Sequence, residues 1–172
     1  MTLRFEPVHE DKIEELAQLA SSIWHEYWPA IIGKEQTDYM VEQFQSVNAI
    51  TRDMEHNAYE YWLLVDGEGE DARTVGFTGG HNEPETNRFF ISKIYLKAEE
   101  RGKHFASRVI EFYESLCKER GFDAMYLTVN KNNELGKRAY LGKGFEVIDA
   151  VETDIGEGYI MDDYIMEKKV AK

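Results

Sequence analysis

The stretch IYLKAEERGKHFASRVIEF, residues 94–112, decides how the rest of the chain is to be read. It opens as an apolar strand ending at Leu96, crosses a short charged turn and enters a helix at about Lys103. Phe105, Val109, Phe112, Tyr113 and Leu116 recur at three- and four-residue steps, which gives that helix one buried stripe. Arg101, Gly102 and Lys103 lie on the turn, and Gly102 leaves the backbone open to close approach. The first turn of a helix carries N–H groups without intrahelical partners at the positive end of its dipole, so this strand–turn–helix suits a phosphate. Two side-chain cations add to that. Taken alone, the pattern fits equally a basic turn that binds nothing.

Residues 126–145 supply a second block. A strand Tyr126-Leu-Thr-Val-Asn130 is followed by Lys131-Asn132-Asn133, a helix holding Ala139 and Tyr140, and Gly144-Phe145. Together the two blocks resemble the GNAT superfamily of N-acetyltransferases. That family's cofactor motif, Arg/Gln-x-x-Gly-x-Gly/Ala at a helix start, is matched at Arg101 and Ala106, with His104 where glycine is usual. Its second motif is a strand ending in Asn, then Asn-x-x-Ala-x-x-x-Tyr-x-x-x-Gly-Phe or a near relative. Asn130, Asn133, Tyr140 and Gly144-Phe145 fit it. The order and separation of the blocks also agree, and the resemblance extends over most of the chain.

The alternation of periodic helices with strands rich in Val, Ile, Tyr and Phe predicts a mixed α/β (α+β) fold, and 172 residues suit one domain, 1–172. The GNAT resemblance implies a mostly antiparallel central sheet flanked by helices, with one parallel strand pair splayed at its C-terminal ends. It further implies that acetyl-CoA lies in the splay. The pantetheine arm would pair with the backbone of Ile94 and Leu96 on either side of Tyr95, and the pyrophosphate would sit on the N–H groups of Arg101, Gly102, Lys103, His104, Phe105 and Ala106. Asn130 and Asn133 fall in the same cofactor-binding region, and Tyr140 matches the general acid that protonates the coenzyme A thiolate. A tyrosine hydroxyl suits that task, because its ordinary pKa of about 10 lies close to that of a thiol.

Each of these residues has a plain structural use as well. Tyr140 would serve as a core aromatic on an amphipathic helix, and Asn130 and Asn133 as turn and cap residues. His104 either donates to a phosphate or is tolerated in an outward-facing first turn. No base stands where some relatives, including the spermidine/spermine acetyltransferases, carry a Glu two residues before Ile94, since Ser92 occupies that position. A water chain or His25, Glu26, His81, Glu83 or Glu85 remains for the role. Trp24, Tyr27 and Trp28, with Glu26 between them, form an aromatic cluster before Pro29 that reads as helix packing or as one wall of an acceptor pocket for a cationic amine.

The formal charge of −13 argues against a nucleic-acid partner. It is unevenly placed: from Lys97 to Lys143 ten Lys/Arg face seven Asp/Glu, and the remainder is strongly acidic. That remainder would attract a cationic amine or serve solubility alone. The single cysteine, Cys117, falls on the periodic part of a helix and reads as a buried structural thiol. No leader or membrane-spanning run is visible, so a cytoplasmic protein is expected, and the five histidines show no metal-ligand spacing. A long last strand at 159–167 and the habits of the family allow a homodimer.

Further expectations follow from local signals. They are a loop between Pro29 and Gly33, a helix from Thr37 or Asp38, another element from Ser46 or Asn48, a strand 59–65, a strand 74–78, a polar loop 79–85 and a strand 88–96. Beyond these, a helix is expected at 134–142 and a strand from 145. The activity implied is acetyl transfer from acetyl-CoA to a primary amine, a small cationic amine or polyamine, in a direct ternary complex. Acetylation of a protein or peptide amine and a non-catalytic acyl-CoA-binding module are the alternatives.

Overall fold

The computed structural model describes residues 3–170. Its strands are β1 (Leu3–Pro7), β2 (Glu60–Asp66), β3 (Arg73–Glu83), β4 (Arg88–Leu96), β5 (Ala124–Asn130), β6 (Glu146–Gly156) and β7 (Tyr159–Lys169), in the sheet order β1-β2-β3-β4-β5-β7-β6. The helices are α1 (Ile13–Tyr27), α2 (Pro29–Ile32), α3 (Lys34–Met40), α4 (Val47–His56), α5 (Phe105–Arg120) and α6 (Glu134–Gly142). Strands β1/β2, β2/β3, β5/β7 and β6/β7 pair antiparallel, and β4/β5 pair parallel. This is the mixed sheet expected. Among the described residues no helix is long and apolar enough to cross a membrane.

The chain divides into two compact units. Unit 1 is Met1–His81 with Lys93–Val109, and unit 2 is Asn82–Ser92 with Ile110–Lys172. In unit 1, α1 buries Ile13, Leu16, Ala20, Ile23 and Trp24, which recur at helical spacing. The Ser46 hydroxyl accepts the Ala49 N–H at 3.1 Å and so caps α4. The core joins Leu16, Ile23 and Ile50 to Tyr61, Leu63, Val65 and Phe77 of the sheet.

Three expectations are corrected here. The 29–33 loop is a one-turn helix, because Pro29 sits at its first position, where no N–H is needed, and Gly33 at φ +88° ends it. The helix expected from Thr37 or Asp38 begins at Lys34 and passes into a π turn at Val41–Gln45. The loop expected at 79–85 is mostly strand, with Gly79 and Gly80 standing opposite Tyr61 and Glu60. A Cβ on Gly79 would come within 2.6 Å of the Tyr61 ring, so this glycine marks close packing inside a sheet.

In unit 2, β5 pairs with β7 along its whole length, whereas its parallel ladder with β4 covers only Arg88–Phe90 against Ala124–Tyr126. Tyr164, Met166 and Lys168 stand opposite Val129, Leu127 and Met125. Lys168 bonds Glu114 of α5 and the Lys143 carbonyl just beyond α6, and Lys137 of α6 lies 4.6 Å from the Tyr164 ring centre. Helices α5 and α6 therefore cover this face, and Asp163, Ile165 and Glu167 point to the other.

Candidate functional site

The turn between β4 and α5 is held from beneath. Glu100, 5% exposed, accepts from Arg73 at 2.9 and 3.0 Å and pairs with Lys103 at 3.2 Å, and Arg73 also reaches Asp66 at 3.0 Å. The Arg73 hydrogen bonds hold the Glu100 carboxyl down to about 2. This short 3-10 turn, Ala98–Glu100, fixes where the chain leaves Ile94, Tyr95 and Leu96, all half-buried at the end of β4. Gly102 then takes φ +81° with open space over its α-carbon, and His104 takes φ +66°. Helix α5 starts two residues later than expected, at Phe105, because His104 has left-handed backbone.

Arg101, Gly102, Lys103 and His104 are exposed, Phe105 is buried, and Ala106 is half-buried. An exposed turn with its backbone uncovered, set at the N-terminus of a four-turn helix and carrying cations, fits an anionic group such as a pyrophosphate. The Arg101 guanidinium lies 4.8 Å from the Tyr27 ring centre and donates to the Leu96 carbonyl at 3.4 Å.

The aromatic cluster is packed. Trp24 and Trp28 stack with centroids 5.2 Å apart, Tyr27 meets Trp28 edge-on at 5.2 Å, and Trp24 meets Tyr95 at 5.6 Å. Trp24 and Trp28 are buried, and their indole N–H groups have no hydrogen-bond partner among the described residues. Tyr27 is half-buried and Glu26 exposed. His25 is held at both ring nitrogens, by Asp38 at 2.7 Å and the Ser21 carbonyl at 2.8 Å.

His81 and Glu83 sit on β3. His81 packs on Tyr59 at 5.1 Å. Glu83 accepts from Thr86 at 2.6 Å, from Arg88 at 3.3 Å and from the Tyr126 hydroxyl. Burial alone would raise its carboxyl, but the Thr86, Tyr126 and Arg88 contacts carry it below the usual range. Arg88 lies 4.0 Å from the Tyr126 ring centre and also bonds Glu167 at 2.9 Å, so Glu83 belongs to a clamp across strand ends.

At the end of β5 the Asn130 side chain accepts the Asn132 N–H at 2.9 Å, and Asn133 caps α6 by accepting the Gly136 N–H at 3.0 Å. Helix α6 closes in a Schellman motif. Phe145 N–H reaches the Tyr140 carbonyl at 3.1 Å, Gly144 N–H reaches Leu141 at 3.2 Å, Gly144 takes φ +95°, and Phe145 packs on the Tyr140 ring at 5.7 Å. The spacing from Tyr140 to Gly144-Phe145 is thus that of a helix end which fixes the Tyr140 ring.

Two buried ionisable groups were missed by sequence reasoning. Lys93 of β4 is 6% exposed and donates to the Phe44 carbonyl at 2.9 Å and the Tyr61 hydroxyl at 2.7 Å, and burial pushes its ammonium down to about 7. Asp163 of β7 is 5% exposed and stands opposite Asn130. For Lys93 the available signal was a charged residue inside an otherwise apolar stretch of strand, whereas β7, which also holds Asp162, Glu167, Lys168 and Lys169, gave none for Asp163. Among the described residues no three His, Cys, Asp or Glu side chains gather as a metal group.

The model of the Acetyltransferase (GNAT) family matches residues 15–145. Spermidine N(1)-acetyltransferase of Thermoplasma acidophilum is 22% identical over 169 residues, covering 98% of each chain. Among solved structures, the PaiA N-acetyltransferase of the same organism, in complex with coenzyme A, superposes with a TM-score of 0.77 at 22% identity, covering 98% of this chain and 99% of that chain. A chimera of spermidine N-acetyltransferase SpeG from Vibrio cholerae and hSSAT gives 0.68 at 16% identity, over 98% and 96%. At such identities the structural likenesses establish the fold.

Proposed function

This chain belongs to the acetyltransferase (GNAT) family, and on that premise we propose that it transfers acetyl to a primary amine of a small polycation of the spermidine class. The observation that carries the reading is the family match running through both units, with the curated spermidine acetyltransferase aligned over 98% of the chain. The same match supports treating residues 1–172 as one acetyltransferase domain. The acidity of the chain outside 97–143 adds support, since it favours a cation.

Acetyl-CoA supplies the activated acetyl group as a thioester. Within unit 1, the backbone of Ile94 and Leu96 offers hydrogen bonds to an extended arm, which the three-pair ladder of the nine-residue β4 leaves room to expect. The N–H groups of the 101–106 turn, with the Lys103 and Arg101 cations, hold the pyrophosphate. Within unit 2, Tyr140 gives its hydroxyl proton to the departing sulfur. The tryptophans serve first as packing, and Tyr27 with Glu26 forms the acceptor-side wall.

Release of coenzyme A from acetyl-CoA, followed with spermidine, spermine, a monoamine and a lysine peptide, tests this. The polyamines should give the highest kcat/KM, and Tyr140→Phe should lower kcat about 100-fold while acetyl-CoA still binds. A peptide substrate turned over faster than every small amine would replace the polyamine assignment.

A further inference from the structure

Lys93 of β4 is buried and stands immediately before Ile94. An ammonium withdrawn from water needs acceptors. Lys93 has two, and neither is a carboxylate: the Phe44 carbonyl at 2.9 Å and the Tyr61 hydroxyl at 2.7 Å. Its own carbonyl accepts from the Thr78 hydroxyl of β3 at 2.6 Å. The residue is thus fastened to β3 by its backbone, and to β2 and the Val41–Gln45 turn by its side chain. An apolar residue of the same length would sit here without the desolvation of a charge, so the amine calls for a reason.

The π turn supplies it. The last residues of a helix leave carbonyls without intrahelical partners, and the chain leaves this turn through Ser46, whose backbone is extended. Two consecutive carbonyls of the turn are taken by cations from other elements, Gln43 by Arg52 of α4 at 3.2 Å and Phe44 by Lys93. Arg52 is exposed, so water can stand in for it. Lys93 is 6% exposed, and water has little access to replace it. The turn packs on α1. Gln45, at its end, is buried with a side-chain oxygen that has no partner among the described residues, as the Trp24 and Trp28 indole N–H groups have none. Buried polar atoms left unpaired point to a ligand or a water that completes them.

We propose that Lys93 is a positioning residue for the amine: by holding the π turn against β4 it fixes the acceptor side relative to the strand that carries the acetyl-CoA arm. This rests on the reading above, in which Ile94 and Leu96 offer their backbone to the arm and the end of α1 forms the acceptor wall. Lys93 touches neither substrate and acts through the Phe44 carbonyl. The groups facing its ammonium are Tyr61 and Tyr59 of β2, with ring centres 4.9 and 6.0 Å away, and Asp53 and Arg52 of α4. His81 of β3 packs on the Tyr59 ring, and Glu42 of the turn is exposed. Burial outweighs the attraction of Asp53, which Arg52 offsets in part, and brings the ammonium down to about 7. Below that value both hydrogen bonds are charge-assisted. Above it the neutral amine keeps a weaker N–H bond to Phe44 and accepts from the Tyr61 hydroxyl, whose burial keeps its proton on. The hold on the turn therefore slackens as pH rises through about 7.

The test joins amide hydrogen exchange over residues 41–50 to steady-state kinetics with spermidine, in wild type, Lys93→Met and Tyr61→Phe. Lys93→Met keeps the length of the side chain and removes its donors. Exchange in the segment should quicken about tenfold in Lys93→Met and less in Tyr61→Phe, and the gap to wild type should be wider at about pH 6 than at about pH 8. KM for spermidine should rise about tenfold in Lys93→Met while calorimetric acetyl-CoA affinity stays within about twofold, because β4 keeps its bond from Thr78. A merely structural part would lower the active fraction, and so kcat, and leave KM alone. Wild-type KM in Lys93→Met overturns the role, whether or not exchange has quickened. Should that variant not fold, wild-type exchange and KM in Tyr61→Phe overturn it equally. Failure of the underlying reading looks different, because wild type itself would then release no coenzyme A with any amine, while exchange would still show whether Lys93 holds the turn.

Discussion

His104 shows how a departure from glycine at a family position is felt in the backbone as well as in the side chain. Its φ of +66° lies in the left-handed region, where a β-carbon costs about 1 kcal/mol. His104→Gly removes that cost but adds freedom to the unfolded chain, so a net gain of about 0.5 kcal/mol is expected in urea unfolding. On the proposed reading, in which backbone N–H groups rather than the imidazole hold the pyrophosphate, acetyl-CoA affinity should stay within about twofold. A loss of an order of magnitude would show that the ring touches phosphate. The departure from glycine was visible in the sequence, but the backbone angle that gives it meaning was not. Asn133 as a cap and Cys117 as a buried thiol were legible, since each follows from local spacing. Asp163 and Lys93 were not, because alternation along a strand does not say which face other elements will cover.

At the scale of elements, the Ala98–Glu100 turn decides how β4 hands over to α5. The Glu100 carboxyl is depressed from an unfolded value of about 4.3 to about 2 in the folded chain. Its stabilisation is therefore present above the unfolded value and is lost as pH falls towards the folded one. Glu100→Gln should cost about 1 kcal/mol at neutral pH and show less loss than wild type on acidification to about pH 3, read by urea unfolding at both. Bounds of β4 and α6 were read to the residue, with Asn87 just before the one and Asn133 and Gly144 flanking the other. The end of β3 was misread because Gly79-Gly80 carries the same letters whether it turns a chain or makes room for the Tyr61 ring.

Across the whole molecule the charge of −13 is the dominant field. If it gathers polycations, kcat/KM for spermidine should fall about tenfold from low to high salt, and that for a monoamine much less. Equal, flat profiles would assign the acidity to solubility. A quieter feature governs how such measurements can be made. The chain's one sulfhydryl, Cys117, is fully enclosed, and burial pushes its thiol up to about 11. In the native enzyme it is silent to arylating dyes, so their colour counts product alone. Under denaturing stress the same atom becomes a clock, since each molecule that opens surrenders one chromogenic equivalent.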